Sequence, residues 1–152
     1  MSAAEVPKMP KMSVNIVTLC DSATTDDDGK LNVNGVFDTV FATQFPAVHP
    51  HCSLAVRLTV TQEEFKKHAV KIRFLDSTGD IFFRDLETPW DIGPKHSDAT
   101  IISENLIVEL ASLEFPRQGT YFIQLWLDGR PLTTLHLHAK PPTTRWTIYC
   151  SP

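Results

Sequence analysis

The sequence predicts an all-β fold, an antiparallel β-sandwich of immunoglobulin-like or related architecture with about eight strands. Three observations predict it. Val, Ile, Thr, Phe, Trp and Tyr supply 50 of the 152 residues, a composition suited to pleated, half-buried surfaces. Apolar and polar residues alternate with period two in several separate runs. Turn signals rich in Gly, Asp and Ser divide those runs at regular intervals, and no long helical period competes with them.

The elements follow in order. A first strand is expected near Asn15 to Asp21, and a second over Leu31 to Phe41 after the Asp28-Gly29 turn, with Gly35 marking a bulge inside it. In the run from Ser53 to Val60, Leu54, Val56, Leu58 and Val60 share one face while Arg57 and Thr59 take the other. Gln62 to His68 reads as a turn or two of helix. Val70, Ile72 and Phe74 alternate with Lys71 and Arg73, and the Ser77-Thr78-Gly79-Asp80 turn leads into a strand over Asp80 to Glu87. A long loop is expected from Glu87 to Ser103, presenting Trp90 between Pro89 and Gly93-Pro94. Leu106, Val108 and Leu110 lie opposite Glu109 on the next strand. Tyr121 to Leu127 and Leu132 to Ala139 flank Asp128-Gly129-Arg130-Pro131 and form a terminal hairpin.

This organisation implies one sandwich domain over 14–140, a polar, Pro-containing leader over 1–13, and an extension over 141–152. The extension opens with Pro141-Pro142 and continues into the strand-like Arg145-Trp146-Thr147-Ile148-Tyr149-Cys150. A chain of this length buries enough surface to fold without a disulfide or metal. The three cysteines, Cys20, Cys52 and Cys150, are an odd, sparse set that fits a reducing cytoplasm better than a disulfide framework.

Net charge narrows the expected partners. With 14 Lys+Arg against 18 Asp+Glu the formal charge is −4, and no basic run supplies the cations that phosphate neutralisation needs, so no nucleic acid is expected as a partner. No apolar stretch has the length of a membrane span, and none follows Lys8 and Lys11 as a secretory signal would require, so no membrane is expected either.

Several stretches resemble a bacterial family of single-domain proteins known only as a domain of unknown function. They are Leu19-Cys20-Asp21, Gly29 through Asp38 (Gly-Lys-Leu-Asn-Val-Asn-Gly-Val-Phe-Asp), Phe45 through Pro50 (Phe-Pro-Ala-Val-His-Pro), and Phe115-Pro116 through Gly119-Thr120-Tyr121 to Asp128-Gly129. The likeness spans about Asn15 to Lys140, and its first half is the more specific. It implies a β-sandwich and a bacterial source, and it brings no activity or catalytic residue with it.

Histidine and cysteine are the nearest approach to a metal centre. His49, His51 and Cys52 lie together, and His136 and His138 project from one face of the last strand. Three or four such ligands must converge to hold a transition metal, whereas alternation also places His136 and His138 on a solvated face opposite Leu135 and Leu137. Asp26-Asp27-Asp28-Gly29 lacks the spaced ligands of a calcium loop and reads as a hairpin turn. Asp21 and Asp38 form an acid/base pair only if their environments push them apart. Cys20, on a strand face with Ile16 and Thr18, reads as a structural thiol. No nucleophile elbow or phosphate-binding glycine loop occurs.

Two surface readings remain. Arg57, Lys71 and Arg73 make a positive stripe only if their strands are neighbours. Trp126 shares a face with Phe122 and Gln124 opposite Ile123, Leu125 and Leu127, so this strand is apolar on both sides and something must cover it: the Trp90 loop, the Trp146 extension or a second subunit. The sequence thus points to a protein without catalytic residues or cofactors, a binding or structural module that self-associates. The alternatives are a metal-binding protein or metal-dependent enzyme built on His49, His51, Cys52, His136 and His138, and a small-ligand or carbohydrate binder using Trp90.

Overall fold

A computed structural model of the chain describes residues 5–95 and 97–142. Among the described residues nine strands follow one another as β1 (Met12–Thr25), β2 (Leu31–Phe37), β3 (Thr39–Phe41), β4 (Ala47–Thr61), β5 (Lys67–Asp76), β6 (Ile81–Asp91), β7 (Ile101–Phe115), β8 (Gly119–Leu127) and β9 (Arg130–Lys140). They form two sheets, ordered β2-β1-β4-β7 and β3-β9-β8-β5-β6. Every neighbouring pair is antiparallel except β3 with β9. The expected sandwich is the observed one.

The ninth strand arises because the expected second strand is divided at Asp38. Phe37 pairs with Leu19 in the first sheet and Thr39 pairs with His138 in the second, so one residue carries the chain across the seam. No bulge marks Gly35: Cys20↔Val36 and Ser22↔Asn34 keep one register across it. Two other expectations are shortened. The helical turn is a 3-10 helix over Gln62–Glu64, because β5 already begins at Lys67. The long loop is shortened, because β6 runs on to Asp91 with Pro89 tolerated on an edge strand.

Period-two patterning builds the core. Leu54, Leu58, Ile72, Phe74, Ile123 and Leu137 face one another from both sheets and are at most 2% exposed. Burying each such side chain contributes about 1.5–3 kcal/mol. One end of the core is aromatic: the Tyr121 ring lies 4.5 Å from Phe82 and 5.1 Å from Phe115 between centroids. The Tyr121 hydroxyl donates to the Arg117 carbonyl and accepts from the Arg117 N–H at 3.2 Å, which pins the turn into β8 in the manner of the tyrosine corner of immunoglobulin-like sandwiches.

The two outer faces differ. On the first sheet Cys20, Ser53 and Ala55 point outward yet are 0% exposed. Their cover is the β1–β2 hairpin. Its turn residue Gly29 offers its carbonyl to Arg57 Nη1 and Asn105 Nδ2, each at 3.0 Å, and Asn105 also donates to Thr25 Oγ1 at 3.2 Å. A straight continuation of β1 past Cys20 leads away from Arg57, so β1 must bend and lay the hairpin across β4 and β7. On the second sheet, Phe122, Gln124 and Trp126 stand half-buried, with no described strand crossing them. No described helix is long and apolar enough to cross a membrane.

Candidate functional site

The stretches that carry the family resemblance in the first half of the chain converge at the seam. Asp21 from β1, Gly35, Val36 and Phe37 from β2, Thr39, Val40 and Phe41 from β3, and His49 from β4 line an open cleft of about 400 Å³. Local backbone devices place them. His49 pairs with Leu113 on the core side, whereas His51 pairs with Ala111 and bonds Glu109 on the outer face. Between those pairs Ser112 adopts a positive φ of 55°, and the alternation slips by one residue. Two histidines that are two apart in sequence thereby take opposite faces.

Asp21 is set by its neighbour Gly35. The glycine has φ +71°, and a Cβ there would run into the Asp21 carboxylate as it stands, so the carboxylate lies close over the backbone at a position that favours glycine. Asp21 makes no hydrogen bond or ion pair with the described residues. The His49 ring rests on Phe37, with centroids 5.2 Å apart and planes tilted by 40°. At the rim, the Lys140 ammonium sits 5.9 Å over the Phe41 ring. Asp38 accepts the Thr39 hydroxyl at 2.9 Å and does not line the cleft, so the Asp21–Asp38 pair is not assembled there.

The metal set drawn from the sequence is not brought together either. Cys52 belongs to the core, His49 turns to the seam, and His51 bonds Glu109 at 2.7 Å on the outside of the first sheet. His136 packs edge-on against Phe122 and His138 meets Thr120, both on the outside of the second sheet. Outer faces of opposed sheets point away from each other, and no group of three or more metal-capable side chains occurs among the described residues. The positive stripe fails for the same reason: Arg57 is on the first sheet, and Lys71 and Arg73 are on the second, where both meet Asp85. Trp90 is 7% exposed inside the core, so it neither covers Trp126 nor lines a loop pocket. Trp146 lies outside the described residues.

Cys20 and Cys52 are unpaired and buried. Burial pushes the Cys20 thiol up, and burial beside Cys20 pushes Cys52 up to about 11, the opposite of an activated nucleophile. Asp26 closes its turn by accepting the N–H groups of Asp28 and Lys30 at 2.9 Å each.

Sequence reasoning missed one buried polar network. His68 is 1% exposed, with Nδ1 2.5 Å from Asp128 Oδ2 and Nε2 2.8 Å from the Glu64 carbonyl. Asp128 also accepts the Ala69 N–H at 2.9 Å, and that bond, followed by His68, holds its carboxyl below the usual range against the opposing effect of burial. The signal was there: His68 falls in period with Val70, Ile72 and Phe74, and the helical reading of residues 62–68 hid it. Asp76 is a second turn anchor. The Thr78 hydroxyl, then the backbone N–H groups of Asp80 and Thr78 and the Arg117 guanidinium, hold its carboxyl low.

A family profile described as a family of unknown function, DUF6941, matches residues 15–140. The chain belongs to that family. No curated protein matches it. Among solved structures it is similar to the Pseudomonas fluorescens alkylpurine DNA glycosylase AlkC bound to DNA containing an abasic site analog, with TM-score 0.47 and 9% identity, over 86% of this chain and 30% of that one. The chain thus spans less than a third of that structure's length. The exclusion of nucleic acid drawn from net charge is withdrawn in the face of a neighbour solved on DNA: a sum of −4 over the whole chain does not describe the charge of any one face. A likeness this weak does not argue for DNA binding by the DUF6941 chain.

Proposed function

We propose that this DUF6941 protein is a non-catalytic binding module whose recognition site is the seam cleft between Asp21, Phe37 and His49. The observation that carries the reading is convergence. Three stretches of the family resemblance, separated in sequence, meet around one concave site that leaves a carboxylate without a hydrogen-bond or ion-pair partner among the described residues. Concave sites with few polar groups are where small ligands are bound. Among the described residues, the Cys20 and Cys52 thiols are buried, and His68 has both ring nitrogens occupied. The unpaired thiols also support a reducing, cytoplasmic setting, and the family resemblance favours a bacterial source.

Amide-resolved NMR of the full chain against a fragment library tests the reading. Binders should shift the amides of Gly35 to Phe41 and His49. A library that shifts other surfaces and never these amides removes the cleft as the recognition site.

A second reading rests on a different observation. The outer face of β8 carries Phe122 and Trp126 with no described strand over them, which favours self-association through that face. The mass of the full chain in solution across a concentration series tests it, and a monomer at every concentration rejects it.

A further inference from the structure

We propose that the seam cleft takes an alkylammonium group, held by the Asp21 carboxylate beside the Phe37 and His49 rings; this rests on the reading of the cleft as the recognition site. Four features carry it. Among the residues lining the cleft, Asp21 is the one Asp, Glu, Lys or Arg, so inside the rim occupied by Lys140 the fixed charge favours a cation over an anion. That carboxylate has no hydrogen bond or ion pair to the described residues, and it lies over Gly35, whose lack of a side chain leaves it room. Its oxygens are therefore open to accept the N–H groups of a ligand.

Aromatic faces complete the set. A cation over a phenyl ring is attracted by the ring's negative face, and Phe37 lines the cleft. The chain already makes this contact at the rim, where the Lys140 ammonium lies 5.9 Å over Phe41. Val36, 61% exposed, gives the alkyl part of such a ligand an apolar surface. A metal ion is a poor competitor, because one carboxylate and one imidazole fall short of a coordination shell.

The experiment titrates the full chain with n-butylammonium, choline, n-butanol and butyrate, following the amides of Gly35 to Phe41 by NMR. The two ammonium probes distinguish a primary from a quaternary group. Either ammonium should shift those amides while butanol and butyrate leave them in place. Asp21→Asn, which keeps the shape against Gly35, should weaken ammonium binding by about tenfold or more, with an unchanged melting temperature showing that it folds. Asp21→Ser serves if the asparagine variant does not fold. Equal binding by butyrate or butanol, or by a folded Asp21 variant, overturns the ammonium assignment and leaves the cleft as a site. Silence from all four probes, with library fragments still binding at Gly35 to Phe41, overturns the assignment in the same way. Silence from every compound overturns the assignment together with the binding reading beneath it.

Discussion

The outer face of the first sheet and the outer face of the second are built on the same alternation and have opposite fates. Ser53 and Ala55 face outward and are 0% exposed, because the β1–β2 hairpin lies over them and Arg57 and Asn105 grip its turn. Thr134 and His136 occupy equivalent outward positions on β9 and stay exposed. Parity therefore decides only which side of a sheet a residue takes. Whether that side is dry depends on chain that comes from elsewhere in the sequence, and small side chains such as Ala55 mark where it comes close.

The comparison is sharpest under one substitution made twice. Ala55→Lys places an unpaired ammonium beneath the hairpin and should destabilise the fold by about 3 kcal/mol or more. Thr134→Lys puts the same group into water and should stay within about 0.5 kcal/mol of the parent. Urea denaturation of both variants decides the matter, and equal losses would mean that the hairpin does not seal the first sheet. A milder break removes the grip alone. Asn105→Ala leaves the Gly29 carbonyl with Arg57 as its remaining partner and strips the Thr25 hydroxyl of its donor, which should cost about 1–2 kcal/mol. Hydrogen exchange should quicken over residues 22–34 while β8 and β9 remain protected.

How much of this was legible follows from what alternation can encode. The half-buried runs at Leu54 to Val60, Val70 to Phe74 and Ile123 to Leu127 are short-range patterns, and each appears as the strand it suggested. The sheet to which a strand belongs is not written in its own residues. Arg57 and Arg73 look alike in sequence and end on different sheets. The site was partly legible, since its lining falls in the stretches that carry the family resemblance, but its assembly needed Asp38 to switch sheets and Ser112 to shift the alternation opposite His49 and His51. Neither event leaves a periodic trace. Trp90 was misplaced because Pro89 reads as loop, although an edge strand accepts it.

The turns that close the second sheet should respond to acid. Asp76 and Asp128 both have carboxyls held below their ordinary range in the folded protein. A depressed folded pKa means that the contribution to stability is complete above the unfolded value, near 3.9 for Asp, and is lost as pH falls through the folded one. Urea midpoints should thus decline below about pH 4, and Asp76→Asn and Asp128→Asn should each flatten that decline. If both variants keep the parent's full acid dependence, these two turns are not its source.

A double substitution on the outside of β8 carries the most information about the open face. Phe122 and Trp126 are only half-buried on the outside of β8, and Trp126 spends its indole N–H on Gln124 at 3.2 Å. Replacing both with Ser removes part of the packed area of each ring, so the folded monomer should lose about 2–4 kcal/mol. A second subunit on this face would feel the change far more, because an interface concentrates its energy in a few buried aromatic anchors. The double variant should therefore keep the parent's cooperative unfolding and lose its concentration-dependent mass. A dimer that survives it places the contact elsewhere, such as the outer edge of β7, a strand of 15 residues paired on one side only, where main-chain hydrogen bonds would join two copies without these side chains.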